Sequence, residues 1–439
     1  MGQRVQAEVR AWDSRRRDPY SVAQGYAEGP EGRDPSRPYP FAEGLGVSPN
    51  SLISPQEWGL GGLKTSLEII PHAPPRLSRP PPCCNMTLSS MKTRITDLLS
   101  IRHPIILAPA NYVGTPEMVA AVSNAGGFGI LASGRLAPDD LRDDIQAIKR
   151  LTDKPFGANL IFGSPGFGKQ AEILIQSKVP LICHSRGNPK WLIDATKGQG
   201  IKVMAMIGSV RHALRAEEDG AHAIMVQGSE AGGHVGEVST LVLLPLVAGK
   251  VQIPVVGAGG FSDGKGLAAA LALGAEGIAM GTRFAVTKES PLPESIKQRY
   301  LEASENDTVV TPAITGTRLR VIANRFTHML DDGERKLPWR EKVAGAMETK
   351  RLLGVSWWRF VAGGWSMRKQ YEASVAELGH LAAGGVRIKK AMIDGDADLG
   401  VMPSGQVCGR IDDIPSVQEL IERIVAEAEE TLKSLNARL

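Results

Sequence analysis

A single histidine set among glycines is the first stretch whose residue types and spacing could do chemistry. VQGSEAGGHVGEVST (226–240) follows the apolar run Ala223-Ile224-Met225-Val226 and surrounds His234 with Gly228, Gly232, Gly233 and Gly236. Imidazole titrates near neutrality, so a histidine presented this way can take a proton from carbon or stabilise an anion. The plainer reading is an ordinary loop histidine. Two more glycine-rich turns, GAGG (257–260) and MGTRF (280–284), end apolar runs. Backbone N–H groups in such turns bind phosphate, because a Cβ would hold the oxygens away. Thr282 could add a hydroxyl, and Arg283 either compensates charge or faces outward. The bland alternative is that these turns only terminate strands. Neither is followed by the Lys-Ser/Thr of a P-loop, so NTP hydrolysis is not indicated.

These residues need a scaffold, and the chain supplies a regular one from about residue 92. Short apolar runs bounded by Gly or Pro alternate with amphipathic helical stretches. The runs are PIILAP (104–109), GFGILAS (127–133), PFGANLIF (155–162), VPLICHS (179–185), KVMAMI (202–207), AIMVQG (223–228), IPVVGAGG (253–260) and GIAMGTRF (277–284). Helices are expected at 115–125, with Thr115 as N-cap and Pro116 at the first position, at 137–152 and at 262–275. Eight βα units point to an α/β fold, a closed (β/α)8 TIM barrel, over an open doubly wound sheet. Chemistry then belongs at the C-terminal strand ends, where Ala108-Pro109-Ala110-Asn111, Asn159, His184-Ser185 and Gln227 to His234 lie.

Composition narrows the classes. Of 439 residues, 42% are apolar and 22% charged, with a net charge of +4 and no dense basic block interleaved with aromatics, which argues against a nucleic-acid partner. No apolar stretch reaches the roughly 18–20 residues of a membrane helix; TLVLLPLVAG (240–249) is about half that. Cys83, Cys84, Cys183 and Cys408 show neither zinc-ligand spacing nor a disulfide framework, so no metal is expected and a reducing cytoplasm is the default. Residues 1–90 hold nearly half of the 29 prolines and little periodicity, and read as a disordered extension. A presequence is disfavoured by Glu8, Asp13, Asp18, Glu28, Glu31 and Asp34; a start at Met86 or Met91 is the other explanation.

HPIILAPANYVGTPEMVAAVSNAGGFGIL (103–131), PFGANLIF, VQGSEAGGHVGEVSTLVLLP, IPVVGAGGFSDGKGLAAALALGAEGIAMGTRF and SGQVCGRIDDI (404–414) occur in this order. With that spacing the chain from about 92 to 326, plus 402–424, resembles the FMN-dependent nitronate monooxygenases, formerly 2-nitropropane dioxygenases. It is similar also to the FMN- and NADH-dependent enoyl-ACP reductases. The resemblance implies FMN at the mouth of the barrel. Asn159, Gln227, Gly232 and Gly233 would lie near its ring or ribityl chain, and Gly259, Gly260, Ala279, Met280, Gly281 and Thr282 would hold its phosphate. His234 would act as the catalytic residue. Many members carry Met where this chain has Ala110, which leaves more room beside the flavin.

The implied reaction is oxidation of nitronates or nitroalkanes by O2 to carbonyl compounds and nitrite. The alternatives are an NAD(P)H-dependent reductase of enoyl thioesters or quinones, and a phosphate-ligand-binding barrel without turnover. Several neighbours keep two readings. His184 either touches substrate or is structural, Glu230 either acts as an acid or bonds loop backbone, and Ser404 and Gln406 either approach the flavin or cap loops. Cys183 reads as a small apolar strand residue. The chain thus divides into the extension 1–90, the barrel 91–332, a helical cap or insert 333–400, and a flavin-proximal segment and helix 401–439. The insert, with Trp339, Trp357, Trp358 and Trp365, is either a cap over the flavin or a packing layer or homodimer contact.

Overall fold

The computed structural model describes residues 91–162, 164, 166–331 and 375–439, with Arg340, Val343, Met347, Lys350, Trp357 and Trp358. The expected extension 1–90 and most of the expected cap lie outside the described residues. Helix α1 (Arg94–Leu99) precedes the barrel, whose strands are β1 (Ile105–Leu107), β2 (Gly129–Leu131), β3 (Phe156–Ile161), β4 (Leu181–Ser185), β5 (Lys202–Ile207), β6 (Ala223–Gln227), β8 (Val255–Ala258) and β9 (Gly277–Met280). They pair in parallel in the order β1-β9-β8-β6-β5-β4-β3-β2. A bridge between Ile106 and Phe128 brings β1 back to the start of β2. Phe128 donates to the Ile105 carbonyl and Leu107 to the Phe128 carbonyl, each at 2.9 Å. The expected (β/α)8 barrel is the fold.

Between the strands run α2 (Pro116–Asn124), α3 (Pro138–Leu151), α4 (Phe167–Gln176), α5 (Lys190–Thr196), α6 (Val210–Glu218), α7 (Thr240–Ala248), α8 (Gly264–Ala272) and the short α9 (Thr282–Ala285). Because both faces of every strand are covered, the strands read as continuous apolar runs. Their side chains alternate all the same. Ile106, Phe128, Ile130, Leu181, Cys183, Met204, Ala223, Met225, Val256, Ala258 and Ala279 fill the interior in one cluster. Ile105, Leu107, Ile182, Val203, Ile224 and Val226 meet the helices in another. Ile95 and Leu99 of α1 join the interior cluster and plug the N-terminal end of the barrel, the helix being held by a capping box between Thr93 and Thr96.

Helix α2 starts where expected, though without a side-chain cap. Thr115 sits at the N-cap of α2, but its hydroxyl makes no capping bond and is buried without a partner; Pro116 supplies the start. The C-terminal helix α13 (Val417–Asn436) begins at a capping box of Ser416 with Glu419. Its buried Leu420, Ile421, Ile424 and Val425 lie on the barrel exterior, each contributing about 1.5–3 kcal/mol of burial.

An added layer has no counterpart in the sequence reading. After α10 (Glu294–Glu302), strands β10 (Thr308–Thr311) and β11 (Leu319–Ile322) form an antiparallel pair, and β11 also pairs with β7 (Gly233–His234). Helices α11 (Arg325–Asp331) and α12 (Val375–Met392) follow. This sheet ties the histidine loop to the post-barrel chain. Among the described residues no helix is long and apolar enough to cross a membrane.

Candidate active site at the barrel mouth

Strand parity decides which side chains reach the mouth. Asn159, Ser185, Met206 and Gln227 share the inward parity of the interior cluster and lie at the C-terminal ends of β3 to β6. Asn159 Nδ2 donates to Ser185 Oγ at 3.4 Å, and that hydroxyl donates to Met206 Sδ at 3.4 Å. The Ser133 hydroxyl bonds the Asn159 carbonyl. A polar ring thus caps an otherwise apolar interior. Buried Cys183 lies one layer below, and burial pushes its thiol up to about 12, leaving a protonated apolar filler.

The loop after β6 is held at several points. Gln227 Nε2 donates to the His234 carbonyl at 2.8 Å, and β7 pairs with β11 so that His234 stands opposite Leu319. The imidazole Nε2 lies 3.1 Å from Thr315 Oγ1. The residue is exposed to solvent, yet the protein around its ring removes enough hydration, with Arg186 adding to the effect, to lower its pKa to about 4. His234 is therefore neutral at physiological pH and able to accept a proton. Glu230 acts on backbone: both its carboxylate oxygens accept from the Thr240 N–H, at 3.0 and 2.8 Å, where α7 begins.

The glycines divide into two groups. At Gly232 a Cβ would stand 2.7 Å from Gly405 N, so this glycine admits the late segment against the loop. Gly259 is similarly crowded by Ala231 and Thr240, each at 3.1 Å. At Gly233 and Gly260 a Cβ would meet nothing within 4 Å, and at Gly281 only the Ala110 methyl at 3.9 Å. Gly259 and Gly260 are consecutive left-handed residues, with φ +99° and +82°. The turn after β8 thus leaves backbone beside open space, and Gly281 opens α9 in the same way. Ala110, not a larger side chain, borders that space. Exposed backbone of this kind is what the phosphate of FMN would need, and the residues present are compatible with it.

Other site residues take more specific positions. Ala279 points into the barrel interior and Met280 into the outer cluster, so these two offer backbone only. The Thr282 hydroxyl accepts from Gly405 N at 3.0 Å and thereby joins the late segment to the mouth. Gln406 N donates to the Glu230 carbonyl at 3.0 Å and Ser404 Oγ to the Gly405 carbonyl, which gives both a loop-holding role. Arg283 faces away from the turn: it is 3% exposed, pairs with Asp413 at 3.2 Å and donates to the Asp413 and Val286 carbonyls.

His184 departs from the substrate-contact reading. It has the outward parity of β4 and lies between Phe162 and Trp191, its ring centroid 6.3 Å from each. Sequence reasoning missed Thr315 and Arg186. The first sits 81 residues from its partner, with only the turn signal TGT to mark it. The second is a left-handed non-glycine residue, φ +64°, directly after β4. Such backbone concentrates at functional sites.

The chain as a whole has relatives among known proteins. The profile of the family described as nitronate monooxygenase matches residues 92–170 and 162–427. A (3aS,4S,5R,7aS)-5-hydroxy-7a-methyl-1-oxo-octahydro-1H-indene-4-carboxyl-CoA dehydrogenase of Mycobacterium tuberculosis is 38% identical over 350 residues, 79% of this chain and 99% of that protein. A probable nitronate monooxygenase of Staphylococcus saprophyticus is 34% identical over 295 residues, 56% of this chain and 83% of its own. The solved structure of FabK from Thermotoga maritima superposes with a TM-score of 0.68 at 37% identity, covering 80% of this chain and 100% of that one. Fold, family profile and full-length relatives agree: the chain belongs to the nitronate monooxygenase family of oxidoreductases.

Proposed function

We propose that this protein is an FMN-dependent oxidoreductase of carbon acids, with acyl thioesters of coenzyme A as its substrate class. The observation that carries the reading is His234, a neutral imidazole presented beside the polar ring that caps the barrel. A thioester carbonyl acidifies the neighbouring C–H bond, and a neutral base within reach can take that proton. His234 would remove it, its imidazole being neutral before substrate arrives. FMN, when bound, supplies the two-electron chemistry. Gly259, Gly260, Gly281 and Thr282, with the backbone of Ala279 and Met280, would hold its phosphate. Asn159, Gln227, Gly232 and Gly233 would border its ring and ribityl chain. The thioester assignment draws on the M. tuberculosis relative, which is 38% identical over 350 residues.

A second reading keeps the same residues and changes the carbon acid: nitroalkanes or alkyl nitronates, oxidised by O2 to carbonyl compounds and nitrite. The family profile and the S. saprophyticus relative favour it. NAD(P)H belongs to a third use of the site, reduction of an enoyl thioester. Anaerobic titration of the yellow protein separates them. Bleaching by a saturated acyl-CoA supports the first; bleaching by propionate 3-nitronate alone, with nitrite formed on admitting O2, supports the second. Bleaching by NADH followed by reoxidation with an enoyl thioester supports the third. A colourless protein that none of these reagents alters would overturn the flavoenzyme reading.

A further inference from the structure

The partner of the His234 ring is a hydroxyl with one hydrogen and two contacts that matter. Thr315, 5% exposed on the turn before β11, places its Oγ1 3.1 Å from His234 Nε2 and 3.3 Å from the Thr317 carbonyl oxygen. The Thr317 hydroxyl stands at 3.5 Å. A carbonyl oxygen has no hydrogen to give, so the contact with Thr317 is a hydrogen bond only if Thr315 donates. The contact with His234 is then a hydrogen bond only if Nε2 carries the proton. One assignment satisfies both contacts. Turning the Thr315 hydrogen toward His234 would leave the Thr315 and Thr317 oxygens facing each other at 3.3 Å with no hydrogen between them.

We propose that Thr315 is a positioning residue that fixes His234 as the Nε2–H tautomer, so that Nδ1 is the atom that exchanges a proton with substrate. The inference rests on the reading of His234 as the base and adds which nitrogen acts and what selects it. The backbone supports the geometry from both sides. Val235 N donates to the Arg318 carbonyl at 3.1 Å, and β7 pairs with β11 immediately after the threonine turn. The chemistry of the partner also matters. A carboxylate in this place would fix the same tautomer but would stabilise the imidazolium and raise its pKa. A neutral hydroxyl orients the ring without that shift. Among the described residues the charged group acting on the ring is Arg186, which opposes protonation.

Long-range 1H–15N correlation spectra of protein labelled with 15N-histidine read the tautomer directly, His234→Asn identifying the signal by its loss. The wild-type holoenzyme should show the Nε2–H pattern. Thr315→Val should show a mixture of tautomers, with the rate of flavin reduction down by about 10- to 100-fold and KM little changed. Thr315→Ser should restore both. An Nδ1–H pattern in the wild type, or an unchanged tautomer in Thr315→Val, overturns the proposal; if the valine variant does not fold, Thr315→Ala is read in its place against the same two outcomes. A His234→Asn protein that binds FMN and is still reduced at full rate would defeat the base reading and leave the tautomer result standing, so the two failures are distinguishable.

Discussion

Strand β4 and the loop after β6 each carry a histidine near the end of a barrel strand, and loss of hydration lowers both imidazoles to about 4. They serve different ends. His184 is 1% exposed, points into the helix layer between two aromatic rings, and has an Nε2 with no partner. His234 is exposed, hydrogen-bonded through Nε2, and mounted on a strand of its own. The same lowering thus arises at a packed position within β4 and at the position on β7 that the proposed function makes the base. A depressed pKa at a strand end does not identify a catalytic group; side-chain parity and a hydrogen-bond partner are what separate these two histidines.

The largest effect should separate the pair by function. His234→Asn keeps a polar side chain but removes the base, and the rate of substrate-driven flavin reduction should fall by about 10²- to 10⁴-fold with FMN retained. His184→Phe should change that rate by less than about twofold, because the ring touches Phe162 and Trp191 and not the mouth. Stopped-flow absorbance under anaerobic conditions measures both. Equal losses in the two variants would remove the distinction. The rate in the wild type should stay level from pH 8 down to about 5 and fall only toward pH 4, since the neutral form of His234 is the active one.

How far this contrast was legible in the sequence follows from the range of the interactions involved. The barrel was readable because parallel strands covered on both faces appear as uninterrupted apolar runs such as VPLICHS and AIMVQG, each closed by Gly or Pro. The loop after β6 was readable for its density of glycine around one histidine. In HS at 184–185 the two polar residues look equivalent, and only the phase set by Leu181 and Cys183 turns Ser185 inward and His184 outward. The three-stranded sheet escaped notice because β7 has two residues and TVVT and LRVI are short. Thr315 with His234, and Arg283 with Asp413, join positions 81 and 130 residues apart. No local pattern encodes such pairs.

The next effect concerns stability and comes from His184. An imidazole near 6.5 in the unfolded chain and about 4 in the fold binds its proton more readily when unfolded. Its contribution to stability is therefore full above pH 6.5 and is lost as pH falls toward 4. For this buried ring the shift corresponds to about 3 kcal/mol. Denaturant melts of His184→Phe should accordingly lose about 3 kcal/mol less than the wild type between pH 7 and pH 4. The phenyl ring also removes the unpartnered Nε2, so at pH 7 the variant should be at least as stable as the wild type. Parallel pH curves for the two proteins would show that His184 is hydrated, contrary to its packing.

The smallest effect tests the space around each loop with one matched pair. Gly187, after β4, and Gly233, in β7, have φ of +65° and +75°, so replacing either by alanine incurs a similar left-handed strain of about 1–2 kcal/mol. Their surroundings differ: at Gly187 the added methyl would stand 2.8 Å from the Phe162 ring, while at Gly233 it meets nothing within 4 Å. Gly187→Ala should be the less stable of the two by about 1 kcal/mol or more, because that ring is itself packed on Phe167 at 5.1 Å and has little freedom to yield. Gly233→Ala should show the strain alone in the apoprotein, yet weaken flavin or substrate binding, since its methyl enters the space those ligands would use. Apoprotein melts together with flavin-fluorescence titrations give both quantities. If Gly233→Ala binds flavin and substrate as tightly as the wild type, the open space beside β7 is solvent and the ligand lies elsewhere on the mouth.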